Sequence, residues 1–210
     1  PVPFKVLDAD DISRVNLGQD VPVILSMTPS VNITSDAGNG IGYTGMSIRG
    51  SDGSRINVTI NGVPLNDSES HATYWVDLPD FASSISSIQI QRGVGTSTNG
   101  AGAYGGSINV STQKQSQASK FKLSNSFGSY GTLKNSISFT TGRVGNYFEL
   151  SGNLSKIYSG GYIDRASSNL KGYFLQGSYY KDRTNIKFIA FGGHERTYQA
   201  WYGLDQETLS

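Results

Sequence analysis

A chain of 210 residues with 17 Lys and Arg against 16 Asp and Glu carries too little net charge to bind nucleic acid by bulk attraction. It has no cysteine, which excludes a disulfide framework and a thiolate metal site. No apolar run reaches the ~20 residues of a transmembrane helix, but a membrane-spanning barrel strand needs only about 9–11 residues of alternating pattern. The 26 glycines, with abundant Ser, Thr, Asn and Tyr, favour strands and turns over helices. The size allows one or two domains. The abrupt start at Pro1-Val2-Pro3-Phe4, without a signal peptide, and the abrupt stop at Ser210 are those expected of a piece of a longer protein.

The first half reads as a small mixed α/β unit. Asp10-Asp11-Ile12-Ser13-Arg14-Val15 predicts a short helix with acidic residues at its start. Asp20, followed by Pro22 and VILSM, predicts a second: an N-cap, then proline in the first turn, with Pro29 ending it. Residues 46–49 and 56–60 predict strands, the second running into a turn at Asn61-Gly62. Residues 80–85 predict a third short helix. Strands are expected at 88–91 and 107–111, with a glycine-dense loop between them.

Near residues 113–119 (QKQSQAS) the pattern breaks. Residues 1–115 hold 6 Lys/Arg and 10 Asp/Glu, a net of −4; residues 116–210 hold 11 and 6, a net of +5. Aromatic residues number 6 before the break and 17 after it. Two domains, 1–115 and 116–210, are therefore expected. The second half follows period two. Leu123, Ile137, Leu154, Leu175 and Phe188 belong to apolar faces; Ser124, Ser136, Asn153 and Gln176 alternate with them. Five strands of about ten residues are expected, with turns near Tyr130-Gly131, Gly145-Asn146, 159–169 and Asp182-Arg183. A wall between lipid and an aqueous lumen selects this pattern. A soluble antiparallel sheet with one buried face selects it too. Five strands cannot close a barrel, for which eight is the usual minimum.

Catalytic signatures are weak. Gly100-Ala101-Gly102-Ala103-Tyr104-Gly105 matches G-x-G-x-x-G, but strand alternation follows where a dinucleotide site needs a helix. The glycines are expected to serve positive φ or close backbone approach. His71 and His194 are far apart, and His194-Glu195 lacks the second histidine of a zinc protease helix. No nucleophile–base set is visible. No cofactor is expected, and the chain does not read as an enzyme. The N-x-S/T triplets at Asn32, Asn57, Asn66, Asn109 and Asn153 are what chance gives in such a composition.

The order of motifs is more informative. Pro29-Ser30-Val31, Ile48-Arg49-Gly50, Ile60-Asn61-Gly62-Val63-Pro64 and the run from Ile88 through Arg92-Gly93 and Gly105-Gly106 to Thr112 stand in this succession. They resemble the "PGV", "iRG", "vDGvP" and "iEvvRGpast.yGsgAiGGvInI.T" segments of the plug domain of TonB-dependent outer-membrane receptors. The resemblance covers about residues 1–112. Gln89, Gln91, Val94 and Asn61 depart from the family's usual residues, but the glycine framework (Gly50, Gly62, Gly93, Gly100, Gly105, Gly106) is kept. The segment 193–203, GHERTYQAWYG, resembles iron-complex receptors of Bacteroidetes-type bacteria.

The resemblance implies an α+β plug domain followed by the first antiparallel strands of a transmembrane β-barrel of about 22 strands. It implies a bacterial outer-membrane location, an extracellular small-molecule ligand such as an iron chelate, contact with outer-membrane lipid, no nucleic acid, and TonB as the inner-membrane partner. A TonB box is not visible. The plug would be held in the lumen by polar contacts that can be broken and remade. Outward plug loops would be 34–43, a flexible polar segment with Asp36, Asn39 and Tyr43, and 66–75, with Asp67, Glu69, His71, Tyr74 and Trp75. Tyr74 and Trp75 could instead pack the plug against the wall. Strand parity would bring Arg196, Tyr198 and Trp201 to the extracellular side to join a ligand vestibule. Arg49 and Arg92 would pair with barrel carboxylates beyond Ser210. The leading cargo is a ferric siderophore or other iron complex. Alternatives are glycans, peptides or cobalamin, or a soluble β-rich binding or adhesion module.

Overall fold

The computed structural model describes residues 4–94, 103–112, 116–199 and 208. Strand β1 (Phe4–Asp8) leads into α1 (Ala9–Val15). The Asp8 carboxylate accepts from the N–H groups of Asp10 and Asp11, while Asp11 reaches back to the N–H of Asp8. This reciprocal cap fixes the start of so short a helix. Helix α2 (Val21–Leu25) has Pro22 in its first turn as expected. Asp20 occupies the N-cap position, yet its side chain does not cap the helix. Its carboxylate accepts instead from the Thr44 hydroxyl at 2.9 Å.

Hairpin β2 (Val31–Ser35) and β3 (Thr44–Ile48) form a two-stranded sheet. Strands β4 (Ile56–Ile60), β5 (Val63–Pro64), β6 (Ile85–Arg92) and β7 (Gly106–Thr112) join β1 in a five-stranded sheet of order β1-β6-β7-β4-β5. Its β4–β7 pairing is parallel and the rest antiparallel. Ile56, Val58, Ile60, Ile88, Ile90, Ile108 and Val110 are all buried in it, against Ile12, Ile24 and Leu25 of the two helices. The third expected helix is a 3-10 turn, Phe81–Ser84, entered through Asp80 in the left-handed region (φ 53°). Strands β1, β2 and β5 carry too little periodicity to be predicted.

The second half is an antiparallel meander of β8 (Lys120–Gly128), β9 (Thr132–Thr140), β10 (Phe148–Ser159), β11 (Ser168–Lys181) and β12 (Thr184–Thr197). All five expected strands are present, the last three longer than ten residues. The two faces settle which kind of sheet this is. On β10, Phe148, Leu150 and Leu154 are exposed, whereas Glu149, Ser151 and Asn153 are at most 6% exposed, turned toward the plug. A soluble one-sided sheet buries its apolar face. This sheet buries the polar one. Leaving Phe121, Leu123, Leu154 and Phe188 in water would forfeit about 1.5–3 kcal/mol each, so an apolar medium outside the sheet is the consistent surroundings.

The plug leans on the inner face of this wall. Phe81 meets Phe174 of β11 at 6.0 Å and Phe191 of β12 at 5.7 Å between ring centroids. A second apolar cluster joins Ile41 and Val76 of the plug to Ile157 and Leu170 of the wall; other plug–wall contacts include hydrogen bonds between polar side chains. A cavity of about 650 Å³ separates α1 from β8–β10, lined by Ser13, Lys120, Lys122, Ser124, Ser136 and Glu149 among others.

Candidate ligand vestibule

One end of the wall carries the connections 129–131 and 160–167, the other 141–147 and the two-residue turn at Asp182 and Arg183. Barrel proteins place their long loops outside, and the longest of the four connections, 160–167, is taken to mark the outer rim. The plug tip, residues 36–43, lies at this rim. It is braced, contrary to the flexible loop expected. The Ala37 carbonyl accepts from the N–H groups of Tyr162 and Ile163. The Asn39 amide donates to the Ser159 hydroxyl, and its carbonyl accepts from the Ile41 N–H. The Tyr43 hydroxyl donates to Glu195 of β12 at 3.4 Å. Asp36 is exposed beside them.

The second plug loop is closed by its own side chains. Asn66 accepts from the Val58 N–H and donates to the carbonyls of Ile56 and His71. The Asp67 carboxylate accepts from the N–H groups of Glu69 and Ser70 and from the Ser70 hydroxyl, a turn that asparagine and aspartate form readily. These bonds, the Ser70 N–H first, hold the Asp67 carboxyl below the usual carboxylate range.

Between this loop and the upper part of β12 lies a cavity of about 470 Å³, lined by Asp67, Thr73, Tyr74, Asp77, Phe191 and Glu195, with others. Asp67 and Tyr74 of the expected set line it, and Tyr43 is joined to it through Glu195. Glu69 and His71 are exposed outside it. Burial first, then the negative charges of Glu195, Asp77 and Asp36, push the Tyr43 phenol up, so it stays a neutral donor. Phenol donors beside carboxylate acceptors on an aromatic floor suit a polar, ring-bearing solute.

Two expectations need correction, and two more fall outside the described residues. Trp75 is 4% exposed in the plug core, packed rather than offered to a ligand. Arg196 does not face the vestibule: along β12, Phe191, Gly193 and Glu195 meet the plug, so period two turns His194 and Arg196 outward. Tyr198 is exposed and its N–H donates to the Ser167 carbonyl. Trp201 and Gly100 lie outside the described residues. Glu195 and Asp77 carry no sequence signal of their own, because only the packing of the plug against β12 brings both to this cavity. Among the described residues no group of three or more His, Cys, Asp or Glu is placed to hold a metal.

The plug motifs have structural work. Asn61 (φ 50°) and Gly62 (φ 85°) form the β4–β5 turn. The Asn61 side chain accepts from the Thr112 N–H and donates to its hydroxyl, which in turn donates to Gln176 of the wall. A side chain on Gly106 would put its Cβ 2.7 Å from the Gln91 carbonyl, so close approach within the plug requires that glycine. Gly105 is buried beside Ser51 in the same crossing. Arg49 and Gly50 follow β3 at positive φ, and Gly93 (φ 98°) ends β6. Arg92 donates to the Pro29 carbonyl. Among the described residues neither arginine is ion-paired. The G-x-G-x-x-G run leads into strand β7, not a helix.

Residues 1–107 match the family model described as the TonB-dependent Receptor Plug Domain. No curated protein matches the chain. Solved structures similar to it include the copper transporter OprC (17% identity, 94% of this chain, 32% of that one, TM-score 0.77). The ferric yersiniabactin uptake receptor FyuA from Yersinia pestis is similar as well (17%, 91% and 31%, 0.71). So is the pyoverdine outer membrane receptor FpvA from Pseudomonas aeruginosa PAO1, solved with pyoverdine bound (12%, 93% and 28%, 0.73). At these identities the likeness is one of fold. The chain spans about a third of the length of these structures.

Proposed function

This chain belongs to the TonB-dependent receptor plug-domain family, and from that membership we propose that it serves in an outer-membrane importer of a scarce nutrient, a ferric siderophore or other iron complex. Members of the family are transporters rather than enzymes. The observation that carries the reading is the α/β plug seated against the polar face of an inside-out sheet. The plug is taken as residues 1–115 and the first wall strands as 116–210.

In this reading the solute enters from the rim and rests against Tyr43, Asp67, Tyr74, Asp77 and Glu195. Asp36, Asn39, Glu69 and His71 stand around the entrance. TonB, gripping an N-terminal segment, draws the plug from the wall and releases the solute inward. The plug–wall interface suits such a cycle. Its hydrogen bonds, such as Thr112 to Gln176 and Asn153 to Asp80, exchange with water at little net cost. The similarity in fold to uptake receptors for ferric yersiniabactin and pyoverdine supports the choice of cargo.

The deciding experiment is uptake of labelled ferric complexes by cells with and without the gene, with and without a proton-motive force. Loss of energy-dependent uptake in the deletion is expected. Unchanged uptake would sink the iron reading and leave glycans, peptides or cobalamin as cargo.

A further inference from the structure

The strand register places a band of cations on the outer face of the wall. Reading across the strands, Asn125, Asn135, Lys156, Lys171 and His194 are direct neighbours in one row. The next row toward the rim holds Phe127, Leu133, Tyr158, Asn169 and Arg196. The next row away from the rim is Leu123, Ile137, Leu154, Tyr173 and Gly192, and below it the apolar face continues through Phe121, Leu175 and Phe188. On β11 and β12 the polar positions continue into the row toward the rim (Asn169, Arg196), so Lys171 and His194 border the apolar belt there, while on β8–β10 Phe127, Leu133 and Tyr158 follow above the polar row.

Four features single out this border. Lys156, Lys171, His194 and Arg196 are all exposed. Lys156 and Lys171 stand directly opposite each other, where Cβ atoms are about 4.5–5.5 Å apart and like charges destabilise the pair. Among the described residues, none of the four is ion-paired. Nor does any outward strand position carry Asp or Glu, since Glu149 and Glu195 both turn toward the plug. An anion supplied from outside would relieve the repulsion, and a phosphate with several acceptor oxygens can bridge both ammonium groups.

We propose that Lys156, Lys171, His194 and Arg196 bind the phosphorylated headgroup of an anionic membrane lipid, whose acyl chains lie along Leu154, Tyr173 and Leu175. The occupant is a lipid rather than free phosphate because the cations border the apolar rows without a break. One molecule with a charged head and apolar tails matches both parts at once. Long basic side chains at the edge of a membrane span reach the headgroup level in this way. The inference rests on the membrane-barrel reading above.

The test uses the receptor purified from outer membranes in detergent. A fluorescent phosphatidic acid is titrated against it, with fluorescent phosphatidylcholine as the neutral comparison. Preferential binding of phosphatidic acid is expected. Replacing both lysines (Lys156→Gln, Lys171→Gln) is expected to weaken that binding roughly 30-fold, at about a fivefold loss for each cation near an anionic headgroup. The substitution relieves like-charge repulsion, so heat-dependent gel migration, the mark of a closed barrel, is expected to persist. Equal affinity of the variant would overturn the proposal. Full displacement of the probe by inorganic phosphate at matched ionic strength would assign a free-phosphate site and overturn the lipid. A normally migrating barrel that does not distinguish the two lipids would overturn this proposal alone. Absence of heat-dependent migration in the unaltered protein would overturn the barrel reading and this one with it.

Discussion

The ammonium group of Lys134, on wall strand β9, lies 2.6 Å from a carboxylate oxygen of Asp80 in the plug, with both side chains sealed from solvent. Asn16 and Ser83 of the plug accept from the same ammonium. The Asp80 carboxylate also accepts from the Ser83 hydroxyl and from the amide of Asn153 on β10. The pair therefore ties the two parts of the chain at one fully hydrogen-bonded point.

Removing one partner strands the other charge. Lys134→Met is expected to destabilise the seated plug by about 3–5 kcal/mol, while Lys134→Met with Asp80→Asn loses much less, because no lone charge remains buried. Protease protection of the plug in the detergent-solubilised receptor measures both. A single variant as stable as the double one would refute the pair's role as an anchor.

Asp20 sets a pH dependence. Burial raises its carboxyl well above the ordinary range, and the nearby Glu195 charge adds to this, against opposing bonds from Thr44 and Gly42. The folded state thus holds the proton more tightly than the unfolded chain. Its contribution to stability is complete below the ordinary Asp value, about 3.9, and is lost as pH rises from there through the raised folded value. Asp20→Asn keeps the Thr44 partner without the charge. Its melting temperature relative to the parent is expected to climb with pH above about 4 and then level off. A difference independent of pH would rule this out.

Wall strands β11 and β12 pass close to the plug at Pro79, at positions held by glycine. A Cβ on Gly172 would lie 2.6 Å from the Pro79 carbonyl, and one on Gly193 would lie 2.8 Å from its ring. Backbone cannot yield as a side chain can. Gly172→Val is expected to cost about 1–3 kcal/mol in plug seating, read by plug proteolysis, with heat-dependent barrel migration retained.

The two faces of β10 predict opposite responses. Leu154→Arg puts a charge on the apolar belt one row below Lys156 and Lys171 and is expected to cost about 1–2 kcal/mol, between the midplane and interface values. Ser155→Ala, one residue on and facing the plug, is expected to leave folding into lipid vesicles nearly unchanged. Equal effects would contradict the assignment of the faces.

In the vestibule, Tyr74 lines the cavity and His71 does not. Tyr74→Ala is expected to weaken ligand binding by about 1–2 kcal/mol, roughly fivefold to thirtyfold, and His71→Ala much less. Binding of a ferric complex to the purified receptor, followed by intrinsic fluorescence, compares them.

Strands with a strict alternation were legible because period two is imprinted residue by residue: all five wall strands were expected close to where they lie. Strands β1, β2 and β5 were not, since Phe4–Asp8, Val31–Ser35 and Val63–Pro64 gain their pairing from β6, β3 and β4 and show little pattern alone. The 80–85 segment has helical spacing, yet its shape answers to Phe81 between two wall aromatics and Asp80 on Lys134. Both are partners more than 50 residues away.

The sequence alone determined the plug motifs, the break between the halves, the alternation of the wall and the positions of its turns, because each rests on local spacing or backbone chemistry. Tertiary structure alone decided which face of the wall is covered, and so that its polar side is inside. It also decided that Arg196 and His194 turn outward while Glu195 turns in, that Trp75 is core, and that Asp80 meets Lys134. These depend on register and on long-range packing, and a shift of one residue in a strand would have reversed every one of the facing assignments.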